Sequence, residues 1–283
     1  MQIAAIAVCL FLVLIIAVLA IKSSLILGSN SLSELLFSTS WNPYKGEFGF
    51  LPIIIGTFLV TGIAMVIAVP ISVLAAVYIA EYIPNRLRTV MKSFIDVLAG
   101  IPSVVYGMCA ILVLVPLVRD LIAPMFGITS TGFCVFTAGI ILAIMVFPII
   151  IALCVESFRA VPDEAREITA ALGASKWQTT RLVAFRAALP GVFSAILLGF
   201  GRAFGETIAV AMVVGNIPRI PATVFDSSAT LPSIIASTYG EMMSIPLYDS
   251  AMMFLALVLI LVVLMFNFFA RLVTRRFAWN RRG

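Results

Sequence analysis

The stretch GFGRAFGETIAVAMVVGN, residues 199–216, places two ionisable side chains, Arg202 and Glu206, among apolar neighbours. Charges inside an apolar run are expensive and mark function more often than they mark packing. If the run is one helix, the two residues lie at i and i+4 on one face, within reach of an ion pair. Such a pair can neutralise itself and hold helices together. It can also act as a switchable anion site: the Arg202 guanidinium offers a planar fork of donors suited to phosphate-like oxyanions, and Glu206 holds that fork when no anion is present. Gly201 and Gly205 leave room beside it. Asp96, before AGIPSVVYG, is a third ionisable residue near an apolar block and reads as a helix cap or an interfacial residue, as do Glu81 and Glu156 at the ends of spans.

Other chemistries are excluded. The chain has no histidine, so His triads, HExxH zinc sites and His relays are absent. No GxxxxGK[ST] occurs, so ATP chemistry would belong to another chain. The four cysteines, Cys9, Cys109, Cys134 and Cys154, lie in apolar blocks without ligand spacing and read as small buried hydrophobes. No nucleophile–base pair or cofactor motif is present, so no cofactor is expected.

The elements that must position Arg202 are membrane spans. The 283 residues are 63% hydrophobic and 11% charged, with a mean hydropathy of +1.19. The expected fold is all-α, a polytopic membrane protein of one domain over 1–283. Six apolar blocks reach spanning length, at about 3–27, 52–80, 94–118, 131–156, 189–215 and 250–274. Val18-Leu19-Ala20 would suit a signal cleavage site, but no basic segment precedes the first block, which therefore reads as a retained span. Pro70, Pro102, Pro148 and the glycines at 100, 107, 199, 201 and 205 are expected to disturb the spans or to let helices approach closely.

Basic residues divide unequally between the loops. Thirteen lie in 81–93, 157–188 and the tail after 270, against Lys22, Lys45, Arg119 and Arg219 on the other side. That bias places the 157–188 loop and both termini in the cytoplasm. The outer segments 28–51 and 216–249 are rich in Ser, Thr, Pro and Gly, and Leu231, Ile234 and Ile235 point to a short surface helix in the second.

The basic loop has the punctuation of two helices. Pro162 suits a first helical position, followed by Asp163, Glu164 and Glu167. Gly173 suits a left-handed C-terminus, and Ser175 with Gln178 reads as a capping box opening a second helix. Ala165, Ile168 and Leu172 form a narrow apolar stripe, as for insertion into a partner's groove.

Glu167-Ile168-Thr169, three residues, Gly173, nine residues and Val183-Ala184-Phe185-Arg186 resemble the EAA loop of ABC-importer permeases. The two alanines are replaced, and Leu-Pro follows later, at Leu189-Pro190. Trp41-Asn42-Pro43, Phe48-Gly49, Pro52, Gly56-Thr57, AVPISVLAAVYIAEY (68–82), AGIPSVVYG (99–107) and GRAFGETIAVAMVVGN (201–216) resemble phosphate-specific permeases of the PstC type. That resemblance implies a MetI-like permease in a bacterial inner membrane, importing phosphate by alternating access. It further implies a PstA-like second permease subunit, a dimeric PstB-like ATPase, an external PstS-like phosphate-binding protein, and no nucleic-acid partner. Arg202, Glu206 and Thr207 would line the substrate path. Glu164, Ala165, Glu167, Ile168, Leu172 and Gly173 would form the coupling helix (161–172) and its end, seated in the ATPase. Two alternatives stay open: a permease for sulfate, molybdate or phosphonate, and an ion-coupled secondary transporter using Arg202, Glu206 and Asp96.

Overall fold

A computed structural model describes the backbone of residues 2–240 and 244–279, with side chains over 6–240 and 244–269. The elements are α1 (Gln2–Lys22), α2 (Ser24–Ser29), α3 (Leu32–Phe37), a two-stranded antiparallel hairpin β1–β2 (Trp41–Asn42 and Glu47–Phe48), and α4 (Leu51–Tyr82). There follow α5 (Asn85–Gly100), α6 (Ser103–Met125), α7 (Val135–Arg159), α8 (Asp163–Ala171), α9 (Lys176–Phe204), α10 (Ile208–Val213), α11 (Leu231–Thr238) and α12 (Pro246–Trp279). Among the described residues, α4, α6, α7, α9 and the 246–269 part of α12 are long and apolar enough to cross a membrane, and α1 adds a shorter apolar helix over Ile6–Lys22.

Several expected boundaries move. The first block stops at Lys22, where the Ser23 hydroxyl donates to the Leu19 carbonyl at 2.6 Å, and a separate short helix follows. The third block, expected to start at residue 94, is two helices. Pro102 supplies no backbone N–H and pushes Ile101 into an extended conformation (φ −67°, ψ 129°), so α5 ends before α6 begins. Asp96 therefore sits exposed on α5 and starts no span. The fifth span, expected over 189–215, runs from Lys176 to Phe204. Pro70, Pro148 and Pro190 do not break their helices, which continue through them; apolar helices tolerate proline where neighbouring groups take up the freed carbonyl.

The chain forms two compact units, each assembled from three separate stretches, with 1–60, 107–139 and 205–265 in the first and 61–106, 140–204 and 266–283 in the second. In the first, Ile26, Leu35, Phe50, Ile53, Leu231, Met252 and Leu255 form the core. The hairpin stacks Trp41 on Phe48 edge-on, ring centroids 5.7 Å apart, with Tyr248 beside both. This is the physical content of the Trp-Asn-Pro and Phe-Gly pairs. Helix α11 forms where a surface helix was expected, but its first turn, Leu231–Ile234, is buried in that core. The Leu231 amide donates to Thr57 Oγ1 at 2.9 Å, and Thr57 in turn donates to the Ile53 carbonyl at 2.8 Å.

Beside Thr57, a Cβ on Gly56 would overlap the Ala229 carbonyl. Gly56→Val is therefore expected to cost about 1–3 kcal/mol through overpacking, read as a lower melting temperature in detergent. An unchanged melt would show that the two backbones can part without penalty.

In the second unit, the Phe158 and Phe185 rings meet at a tilt with centroids 6.1 Å apart, and Gly199 lets α9 approach the Ile150 side chain of α7. Cys134 and Cys154 are buried, as expected, whereas Cys9 and Cys109 are exposed because their helices present those faces outward.

Candidate functional site

Arg202 lies in the last turn of α9, on an exposed face. The helix stops at Phe204, and Gly205, Glu206 and Thr207 separate it from α10. Arg202 and Glu206 therefore do not share one unbroken helix, and the i, i+4 relation expected on a single helical face is not kept. Glu206 is half-buried and accepts from the Ala209 amide (3.4 Å), satisfying a free donor at the start of α10. The Thr207 hydroxyl donates to the Gly205 carbonyl at 3.1 Å. At the other end, Gly215 (φ 92°) and Asn216 (φ 52°) turn left-handed, and Asn216 Nδ2 donates to the Ala211 carbonyl at 2.7 Å. The Gly-Glu-Thr triplet and the Gly-Asn pair thus open and close a six-residue helix.

Arg202 makes no hydrogen bond or ion pair among the described residues, and Tyr106 of α6 lies within range of its charge. Tyr106 was not singled out from sequence. Its hydroxyl donates to the Leu98 carbonyl at 2.9 Å, tying the first turns of α6 to the end of α5 across the Pro102 break. A free guanidinium at a break between helices can receive an anion without first giving up an internal partner.

The second cluster lies in the loop after α7. Helix α8 begins after Pro162, which caps it with extended ψ (138°) instead of opening its first turn. Gly173 takes φ 80°, as expected for a left-handed terminus. The Ser175–Gln178 capping box is present in both directions, at 3.3 Å and 2.8 Å. Glu164 and Glu167 are exposed and Ala165 is half-buried. Ile168 and Leu172 are 63% and 81% exposed, with Trp177 beyond them at 58%. These side chains form an apolar face that nothing in the described chain covers.

The underside of this loop is fixed. Arg166 holds Glu81 through Nη2 and Nε (2.8 and 3.4 Å) and donates to the carbonyls of Phe158 (2.8 Å) and Val161 (2.6 Å) and to Asp163 (2.9 Å). The hydrogen bond to Glu81 pushes the Arg166 pKa above its ordinary value, against the opposing effect of burial. Glu81, read from sequence as interfacial, is only 7% exposed at its side chain. It belongs to a π-helical last turn of α4, Tyr78–Tyr82, a conformation often found at functional positions. Arg88 caps the same turn by donating to the carbonyls of Ile79, Ala80 and Ile83 at 3.0, 2.7 and 3.1 Å. Lys176 stands 5.1 Å over the Tyr82 ring. No signal in the sequence marks this turn as the anchor, because its partners lie up to 94 residues away along the chain. Among the described residues, no group of three or more His, Cys, Asp or Glu is placed to hold a metal.

Residues 68–279 match the family described as binding-protein-dependent transport system inner membrane component. The phosphate transport system permease protein PstC of Xylella fastidiosa is 35% identical over 281 residues, covering 93% of this chain and 86% of its own. The probable ABC transporter permease protein YqgH of Bacillus subtilis is 35% identical over 268 residues, covering 92% and 84%. Among solved structures, the inward-facing MetNI methionine ABC transporter gives a TM-score of 0.61 at 18% identity, covering 78% of this chain and 93% of that one. A bacterial alginate ABC transporter gives 0.57 at 15% identity, covering 80% of each chain. These two likenesses establish a shared fold.

Proposed function

Because the chain belongs to the binding-protein-dependent transport system inner membrane component family, we propose that it is a permease subunit of an ATP-driven importer of inorganic phosphate. The observation that carries this reading is its 35% identity to a phosphate transport system permease across nearly its full length. The geometry supports it in two places. Arg202 offers an unpartnered fork to an anion. The exposed Ile168–Leu172 face has the spacing of an amphipathic helix awaiting a groove. The chain is a transport component, and ATP hydrolysis falls to a separate ATPase dimer seated on α8. Phosphate carries more charge than one guanidinium offsets, so a second permease subunit supplies further donors. An external binding protein delivers the anion to the opposite side. With the basic loops facing the cytosol, both termini lie there too.

The test is a purified complex of this chain with its co-expressed partners, assayed for ATP hydrolysis with each candidate binding protein and oxyanion. Stimulation by phosphate is the expected result. Stimulation by sulfate, molybdate or phosphonate alone would move the substrate, and transport without any copurifying ATPase would overturn the ABC reading.

A further inference from the structure

The second unit holds two adjoining cavities where α4 and α7 end. One, of about 230 Å³, has an apolar floor of Ile79, Ile95, Ala152 and Val155, with Lys92 and Glu156 at its margin. The other, of about 450 Å³, is polar and takes in Glu81, Asp163 and Arg166. Asn85, Arg88 and Arg159 line both. Helix α5 is two-sided about this feature: Asn85, Arg88, Thr89 and Lys92 face the cavity at helical spacing, and Leu87, Val90, Phe94 and Val97 are exposed. A helix with one polar and one apolar face suits a membrane interface.

The charges can be assigned one by one. Arg166 is answered by Glu81 and Asp163, and Lys92 by Glu156 at 3.5 Å. Arg88 directs its donors at backbone carbonyls and at Asn85 and meets no carboxylate among the described residues. Arg159 is exposed and has no hydrogen-bond or ion-pair partner among the described residues. Two positive charges are therefore left uncompensated on the border between an apolar chamber and a polar one. A small soluble anion leaves the apolar chamber empty, and a neutral lipid leaves the charges unanswered. A ligand with one negative group on an apolar chain satisfies both.

We propose that these cavities bind an anionic glycerophospholipid, its phosphodiester against Arg159 and Arg88 and the start of one acyl chain over Ile95, Ala152 and Val155. The inference rests on the membrane-spanning architecture and is independent of the substrate carried. Since Asp163 and Arg166 line the polar chamber, the headgroup touches the base of the α8 loop and stiffens its attachment to α4.

The assembled complex, placed in phosphatidylcholine nanodiscs and titrated with phosphatidylglycerol, is read by native mass spectrometry for retained lipid. The wild type is expected to retain phosphatidylglycerol over phosphatidylcholine. Arg159→Gln removes one charge at the membrane surface and should weaken retention about five-fold. Val155→Phe fills the apolar chamber with every charge intact and should weaken it too, so a folding failure in one variant leaves the other to decide. Retention equal to wild type in a folded variant, or no preference between the two lipids, overturns the proposal. Displacement of phosphatidylglycerol by inorganic phosphate also overturns it, since the chamber would then be a site for the free anion.

Discussion

Arg202→Gln is expected to cut phosphate uptake roughly ten- to a hundred-fold while the permease still inserts, folds and assembles. Arg202 is exposed and makes no internal hydrogen bond or ion pair among the described residues, so removing its charge breaks nothing that holds the fold. The loss falls on the anion. A charge-assisted contact contributes about 1.5–3 kcal/mol, so the substitution alone lowers occupancy of the path roughly ten- to a hundred-fold. Arg202→Lys keeps the charge without the planar fork and should retain part of the uptake. Glu206→Gln behaves differently: its oxygen accepts from the Ala209 amide, a bond that a neutral amide can still make, so uptake should fall little. Radiolabelled phosphate uptake, with membrane abundance as the control, separates the three. Wild-type uptake in Arg202→Gln would remove Arg202 from the substrate path.

The second large effect belongs to the Arg166–Glu81 pair. Both side chains are mostly buried, at 21% and 7% exposure, and removing one member leaves the other charge without its partner, at a cost of about 3–5 kcal/mol. Arg166→Ala also frees the Phe158 and Val161 carbonyls at the end of α7. The expected outcome is a lower melting temperature together with more ATP hydrolysed per phosphate carried, because α8 would no longer move as one piece with α4. Arg166→Lys keeps the charge but carries its donors on one nitrogen, so it cannot span the whole set and should lie between. If Arg166→Ala melts and couples like the wild type, the pair is not the anchor of the loop.

Much of the loop was legible before the structure. The Ser175–Gln178 box, the left-handed Gly173 and the Ile168–Leu172 stripe are local features, set by caps and helical spacing within a dozen residues. What was not legible is non-local or depends on continuity. Glu81 reads as an interfacial carboxylate until Arg166, 85 residues on, is brought against it. The i, i+4 relation of Arg202 and Glu206 assumes an unbroken helix, and the three residues that break it are flanked by apolar sequence compatible with helix on both sides. Pro70 and Pro148 mislead in the opposite direction, since a long apolar helix absorbs a proline that would end a soluble one. Helix α5 was hidden because its apolar face merges, by composition, with the span that follows it.

The exposed face of α8 has a consequence for the cell's accounting of its subunits. Ile168 and Leu172 lie open, 63% and 81% exposed, in a loop outside the candidate spans. Under the proposed function, an assembled copy hides them beneath its ATPase, and a surplus copy displays them as a degradation signal to chaperones and proteases, which respond to exposed apolar side chains. The side chains that transmit the power stroke would thus also report whether the motor has arrived, and subunit stoichiometry would be enforced by the same two residues.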